Sequence, residues 1–137
     1  MKQIISMILV AGSLLTAPST FAAECTKEEA IQAETNASTL KNWEEVHAAF
    51  KKFAHCDDGA IAEGYSESVS QLLASHWDQL GRLEKILKSD HNFEAFVIKH
   101  IDQTITKENA AKIVDNARSH CPKKSKALCK KIESAAK

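Results

Sequence analysis

Apolar residues recur at helical spacing along almost the whole chain after residue 23, whereas the two-residue alternation of a β-strand is nearly absent. The clearest stripe consists of Trp43, Val46, Phe50 and Phe53. Comparable stripes follow in segments 61–77, 80–87, 93–105, 110–117 and 128–132. Each stripe is wide enough to form the buried face of one helix. We therefore expect an all-α fold of about six to seven short helices.

Polar residues that cap helices stand ahead of these stripes. Thr26-Lys27-Glu28-Glu29 has the form of a capping box and predicts a helix that runs to about Ala37. Asn42, with Glu45 three residues later, predicts the start of the next helix, which should end near Cys56. Further helix starts are predicted at Asp57-Asp58-Gly59, Asp78, Ser89-Asp90 and Thr106. Pro122 should separate the last two helices.

The links between these segments are very short, which favours sequential antiparallel hairpins. Two architectures fit that order, a compact bundle and an irregular α-solenoid, and no fixed-period repeat decides between them. No linker rich in Gly, Pro or Ser interrupts residues 23–137. We therefore expect one all-helical domain over this range.

The first 22 residues have the order of a secretory signal peptide: Lys2, an uncharged apolar run from Ile4 to Leu15, and the small-residue site Thr20-Phe21-Ala22. The apolar run is shorter than the roughly 20 residues that span a bilayer. Cleavage after Ala22 would leave a mature chain that is periplasmic or secreted. No second run approaches membrane length, so we expect no membrane insertion of the mature chain.

All four cysteines lie in the exported part, where an even number favours disulfides over free thiols or zinc. The helical pattern favours pairing of nearest neighbours, Cys25 with Cys56 and Cys121 with Cys129. Crossed pairings would join the two ends of the domain and stay open at this point.

The densest group of unusual residues lies in segment 57–67. We predict an acidic docking patch there, formed by Asp57, Asp58, Glu63, Glu67 and Tyr65. Glu63 and Glu67 are four residues apart and share a helix face. A cation site is a second functional alternative for these carboxylates. The structural alternative is that the aspartates cap a helix, the glutamates form a solvated face, and Gly64 permits a tight helix crossing.

The sequence offers no recognisable catalytic or metal-binding set. There is no G-x-S-x-G, Cys-x-x-Cys or HExxH, and the six histidines have no ligand spacing. We expect no enzymatic activity, no cofactor and no metal ion. Removal of the signal would leave 17 basic against 18 acidic residues, and no aromatic residues interleave with the lysines, so nucleic acid is not an expected partner.

A small, exported, disulfide-linked helical domain without a catalytic set favours protein binding in the cell envelope. The chain resembles bacterial immunity proteins in architecture only, since several of these are small, exported, helical and disulfide-bearing. That resemblance suggests an inhibitor of a cell-envelope toxin and transfers no site residues. The alternatives are a periplasmic carrier of metal or a small ligand, and an acid-stress chaperone whose histidines charge together as the pH falls.

Overall fold

Seven α-helices joined by short turns run through residues 23–137, the part of the chain that the computed structural model describes. They are α1 (Lys27–Ala37), α2 (Trp43–Phe53), α3 (Gly59–Ser75), α4 (Leu80–Ser89), α5 (His91–Lys99), α6 (Lys107–Ser119) and α7 (Lys126–Ala135). Single 3₁₀ turns follow α2 and precede α4 and α7. No strand occurs in this range, so the all-α prediction is confirmed. The predicted signal peptide, residues 1–22, lies outside the described residues.

Local capping chemistry sets most helix starts as predicted. Thr26 Oγ1 accepts a hydrogen bond from Glu29 N, and the Glu29 carboxylate accepts one from Thr26 N, which completes the capping box. Asn42 and Thr106 cap α2 and α6 by accepting from the amide three residues later. Of the two candidate aspartates ahead of α3, Asp58 is the cap.

One predicted cap is wrong: Asp78 lies inside the 3₁₀ turn Trp77–Gln79, and α4 begins after it without a side-chain cap. Asp90 occupies the predicted cap position of α5, but its side chain makes no capping hydrogen bond. Its carboxylate accepts from His47 Nε2 at 2.9 Å. The fifth helix also ends earlier than its stripe predicts, at Lys99, and residues 100–106 form a turn.

Helix α3 is the centre of the molecule. It packs chiefly on α1 and α6 and also touches α2, and its side chains Tyr65, Val69 and Leu72 are buried. Helices distant in sequence also meet, since α5 packs on both α2 and α7. In a solenoid each unit contacts only its neighbours. The contacts therefore identify a compact bundle and exclude the solenoid.

Two disulfides, Cys25–Cys56 and Cys121–Cys129, confirm the nearest-neighbour pairing. The first ties the segment before α1 to the turn after α2. The second joins the segment after α6 to the middle of α7. Together they fix both ends of the described chain to the bundle. Among the described residues, no helix is long and apolar enough to cross a membrane.

Candidate functional site

A groove of about 770 Å³ runs along the surface of α3. One wall is the end of α1, and the other is the 100–106 turn with the start of α6. Three carboxylates line it, those of Glu34 from α1 and of Glu63 and Glu67 from α3. We call this feature, defined by Glu34, Glu63, Glu67, Thr104 and Asn109, the acidic groove.

The charge of the acidic groove is not compensated by the chain itself. All three glutamates are exposed, and within residues 23–137 none of them takes part in an ion pair. Glu63 and Glu67 are one helical turn apart, so like charges stand side by side on α3. A concave surface lined by charge of one sign concentrates cations at its mouth. The arrangement suits a positively charged group of a partner.

Close packing of α1 on α3 brings Glu34 beside the α3 glutamates. A Cβ atom at Gly64 would lie 2.8 Å from Ala37 Cβ and 3.1 Å from Ser38 N, so only glycine allows this approach. Ser68 Oγ then donates to Ala37 O at 2.6 Å and accepts from Leu40 N at 3.2 Å. The tight crossing predicted at Gly64 is confirmed, and it fixes the first wall of the acidic groove.

The second wall is tied to α3 by amide side chains of α6. Asn109 Nδ2 donates to Ser70 Oγ at 3.3 Å. Asn116 Nδ2 donates to the carbonyl oxygens of Leu73 and Ala74 at 3.0 and 3.1 Å. Because these carbonyls lie in the last turn of α3, their bonds to Asn116 satisfy acceptors that the helix leaves open.

The structure divides the predicted docking patch into surface and interior. Asp58, Glu63 and Glu67 are exposed, although Asp58 caps α3 and does not line the acidic groove. Asp57 is 7% exposed at its side chain and Tyr65 is 0% exposed. Buried side chains cannot lie on a docking surface, so Asp57 and Tyr65 do not belong to the patch. A docking role for Asp58, Glu63 and Glu67 stays a prediction.

Among the three carboxylates of the acidic groove, Glu34 is the one that the sequence did not indicate. It lies on α1, a helix with few apolar residues to show which face is buried. Gly64 was the only available signal, because a glycine inside a helix suggests that another helix approaches closely.

Beneath the acidic groove, His100 forms the centre of a buried polar network. Its Nε2 lies 3.1 Å from Asp57 Oδ2, and its Nδ1 lies 3.1 Å from Ser66 Oγ. Ser66 Oγ in turn lies 3.0 Å from Asp102 Oδ2, in the turn after α5. Lys99 Nζ donates to the same oxygen of Asp57 at 2.6 Å. The network fastens the end of α5 to α3.

Both carboxylates in this network are held in the ionised form. Burial raises the pKa of Asp57, but hydrogen bonds from His100 and Lys99 lower this pKa by more than burial raises it. The pKa of Asp57 therefore lies below its ordinary value. Burial also raises the pKa of Asp102, and hydrogen bonds from Thr104 and Ser66 more than offset that effect. The ionised carboxylates thus surround a buried histidine: the side chains of Asp57 and His100 are buried, whereas Lys99 and Asp102 reach the surface.

Ser66, His100 and Asp57 match the residue types of a catalytic triad, but their placement does not suit catalysis. Ser66 and His100 are both 0% exposed. The Ser66 hydroxyl already lies within hydrogen-bond distance of Ala62 O and of Asp102, so its hydrogen-bond partners are other groups of the protein. A nucleophile must be able to meet its substrate. As built, the three residues hold the fold together.

Tyr65 lies against the same network. Its ring meets those of Phe96 and His100 edge-on, with centroids 5.1 and 5.6 Å apart. Burial, together with the negative charge of Asp57, raises the pKa of Tyr65 to about 12. The phenol is thus neutral and interior, which is a core role.

The other histidines do not assemble a metal site in the described part of the chain. His55 Nε2 lies 3.3 Å from Glu29, and the sulfur of Cys56 is close by. That sulfur is bonded to Cys25, so it is not a thiolate ligand, and only two ligand atoms remain. His47 pairs with Asp90, and that hydrogen bond lowers the pKa of the Asp90 carboxyl.

No family model, no curated protein and no solved structure matches this chain. Function must be inferred from the chain's own residues.

Proposed function

We propose that this chain is an exported bacterial protein that binds a protein partner in the cell envelope through the acidic groove and does not act as an enzyme. The observation that carries the proposal is the set of three exposed glutamates, Glu34, Glu63 and Glu67, which line one groove without an ion-pair partner among residues 23–137. Their complement is a segment of the partner that carries lysine or arginine.

The frame around the acidic groove favours binding by a preformed surface. Gly64 and Ser68 fix α1 against α3, and Asn109 and Asn116 fix α6 on the other side. Two disulfides limit fraying at the ends of the described chain. A surface that does not have to be ordered on binding loses less entropy and binds more tightly.

Export of the chain is part of the proposal. It is supported by the signal-peptide pattern of residues 1–22 and by the disulfides, which persist in oxidising compartments. Within the envelope, we propose a toxin inhibitor of the immunity type as the specific role. An inhibitor needs a rigid surface and no chemistry of its own.

Capture of the partner tests the proposal. Residues 23–137, immobilised with their disulfides intact, are exposed to an envelope extract from the producing cells, and bound proteins are identified by mass spectrometry. The same experiment is run with the groove variant E34Q/E63Q/E67Q. Exposed charge pairs contribute about 0.2–1 kcal/mol each, so loss of three should weaken binding of the partner about three- to a hundredfold.

A matched control neutralises three exposed carboxylates outside the acidic groove, in the variant E24Q/D78N/D115N. It changes the net charge by the same amount and should retain the partner. Binding of the wild type should also weaken with added salt, since exposed charges are screened. Equal retention by both variants would reject the acidic groove as the docking site.

The structure gives less support to the two alternative functions, a metal carrier and an acid-stress chaperone. A metal carrier would need a ligand set, and the Glu29–His55 pair supplies only two atoms once Cys56 is in its disulfide. An acid-stress chaperone would use histidine–carboxylate pairs such as His47–Asp90, and it predicts exposure of apolar surface at mildly acidic pH. Unchanged dye binding on acidification would remove that alternative.

A further inference from the structure

A second groove, of about 880 Å³, runs between α5 and α7. Ala95 and Ile98 line it from α5, and Ala127 and Ala135 line it from α7. On each helix these residues lie on one face, because they recur at helical spacing. Ala95 and Ala127 are exposed, so no other element of residues 23–137 covers the groove. We call this feature, defined by these four residues, the apolar groove.

Lysines of α7 give the apolar groove a positive rim. Lys130 lines the groove, and Lys126 stands one helical turn earlier on α7. Within the described chain, neither lysine takes part in an ion pair. Lys131 and Glu94 also line the groove, but they pair with each other and their charges cancel. A groove between two helices can accept a third helix, and this one suits a helix with an exposed apolar side chain beside unpaired carboxylates.

Helix α1 of the same chain has this composition on its outer face. Among residues 23–137, Ile31 is the one large apolar side chain that is exposed, with 55% of its surface open to solvent. Glu28 precedes Ile31 by three positions and Glu34 follows it by three, so both stand beside it on the helix. Both glutamates are exposed and, in the part of the chain that the structure describes, neither has an ion-pair partner. Lys27, the cation of this face, offsets one of their two charges.

We propose that the apolar groove binds helix α1 of a second copy of this chain, with Ile31 of one copy seated between α5 and α7 of the next. Burial of apolar surface drives the contact, and the carboxylates of α1 meet the lysines of α7. The net charge does not oppose the contact, because without Lys2 the chain has 17 basic residues against 18 acidic ones, so two copies repel each other little. This self-association does not rest on the proposed function.

The two surfaces that meet are different parts of the molecule. Helix α1 packs chiefly on α3 and α2, whereas α5 packs on α4, α2 and α7. A contact between two different surfaces is heterologous, so it builds either a closed ring or an open chain of copies. The smallest ring is a dimer in which each copy seats its α1 on the other. In every case the contact needs an intact α1 on one copy and an intact apolar groove on its neighbour.

Analytical ultracentrifugation of residues 23–137, with both disulfides intact, tests the proposal without another protein. The concentration is raised from about 10 µM to about 1 mM, the range in which a small interface associates. We expect the average mass to rise with concentration, and to rise less in added salt because the charged part of the contact is screened. In nuclear magnetic resonance over the same range, the backbone signals of Ile31 and Ala127 should shift, whereas that of Ala48 on α2 should not.

Two variants disable one surface each. I31S removes the exposed apolar side chain of α1, and A95Q/A127Q places two long polar side chains in the apolar groove. Each variant alone should associate about tenfold more weakly than the wild type, because burial of one partly exposed apolar side chain contributes about that factor. The matched control A48Q/A111Q makes the same changes at exposed alanines of α2 and α6, so it should associate like the wild type.

An equimolar mixture of I31S and A95Q/A127Q tests whether the contact is heterologous. I31S keeps an intact apolar groove, and A95Q/A127Q keeps an intact α1. The mixture should therefore form a complex of two copies at concentrations at which neither variant associates alone. Larger complexes should not form, because the remaining α1 and the remaining groove are both disabled.

Several results would overturn the proposal. A wild-type chain that stays monomeric up to about 1 mM would contradict self-association. Association of I31S or of A95Q/A127Q at wild-type strength would show that α1 or the apolar groove is not needed. A mixture that associates no better than its components would show that the two surfaces do not bind each other. If self-association is as expected but E34Q/E63Q/E67Q retains the envelope partner, the proposed docking function fails while this contact stands.

Discussion

Replacement of Gly64 by alanine would place a methyl group where α1 and α3 cross. The new Cβ would lie 2.8 Å from Ala37 Cβ and 3.1 Å from Ser38 N. Neither atom can rotate away, because one is a Cβ and the other is backbone. Overpacking of this kind costs about 1–3 kcal/mol, whereas alanine in place of glycine within a helix gains up to about 1 kcal/mol. We expect a net loss in the free energy of unfolding of about 1–2 kcal/mol.

Gly81 provides the matched control, because it lies in the first turn of α4 and a Cβ atom added there would meet no other atom within 4 Å. G81A should therefore gain about 0.5–1 kcal/mol from the lower entropy of the unfolded chain. Urea unfolding followed by far-ultraviolet circular dichroism measures both variants. In thermal unfolding, G64A should lower the Tm by roughly 4–8 °C. Stabilisation by G64A as large as that by G81A would refute the tight crossing.

Three further predictions concern the disulfides and the buried network. The Cys25–Cys56 disulfide joins residues 31 apart in sequence, so its loss in C25S/C56S should lower the free energy of unfolding by up to about 3.7 kcal/mol. Loss of the Cys121–Cys129 disulfide, which closes a shorter loop, should lower it by roughly 2.5 kcal/mol. The order of the urea unfolding midpoints checks this difference. Tyr65 is the only tyrosine, so ultraviolet absorption should show no tyrosinate in the folded protein until about pH 12. Because that pKa is raised, its contribution to stability is complete below about pH 10 and disappears as the pH rises through about 12; titration of the folded protein near 10 would contradict the burial. Because the pKa of Asp57 is lowered, its carboxylate stabilises the fold at pH values above the ordinary pKa of 3.8, and this stabilisation is lost as the pH falls below 3.8. D57N should therefore be less stable than the wild type by about 3 kcal/mol near neutral pH. Its stability, measured by urea titration, should also depend less on acid.

Features that depend on neighbouring residues were predictable from the sequence. Thr26, Asn42 and Thr106 cap their helices because their partners lie three residues away. The disulfide pairing also followed from local helix order. Asp90 takes the predicted cap position of α5, but the partner of its carboxylate, His47, is 43 residues away and could not be predicted from neighbouring residues.

The candidate site depends on tertiary packing, so its composition was only partly predictable. Glu63 and Glu67 were found because they share one helix face, whereas Glu34 reaches them only through the crossing of α1 and α3. Tyr65 and Asp57 have the chemistry of surface residues, but α3 is central, and helices pack against several of its faces. The segment that looked like one patch is thus divided between a groove and a buried network.

Site-specific photocrosslinking tests most directly whether the acidic groove is the docking surface. A photoreactive residue is placed either at Gln71, which lines the acidic groove, or at Lys85, which lies outside it on α4. Both positions are exposed, so both should tolerate the change. We expect Gln71 to crosslink to a protein of the cell envelope and Lys85 not to do so. Crosslinking from Lys85 alone, or equally from both positions, would contradict docking in the acidic groove.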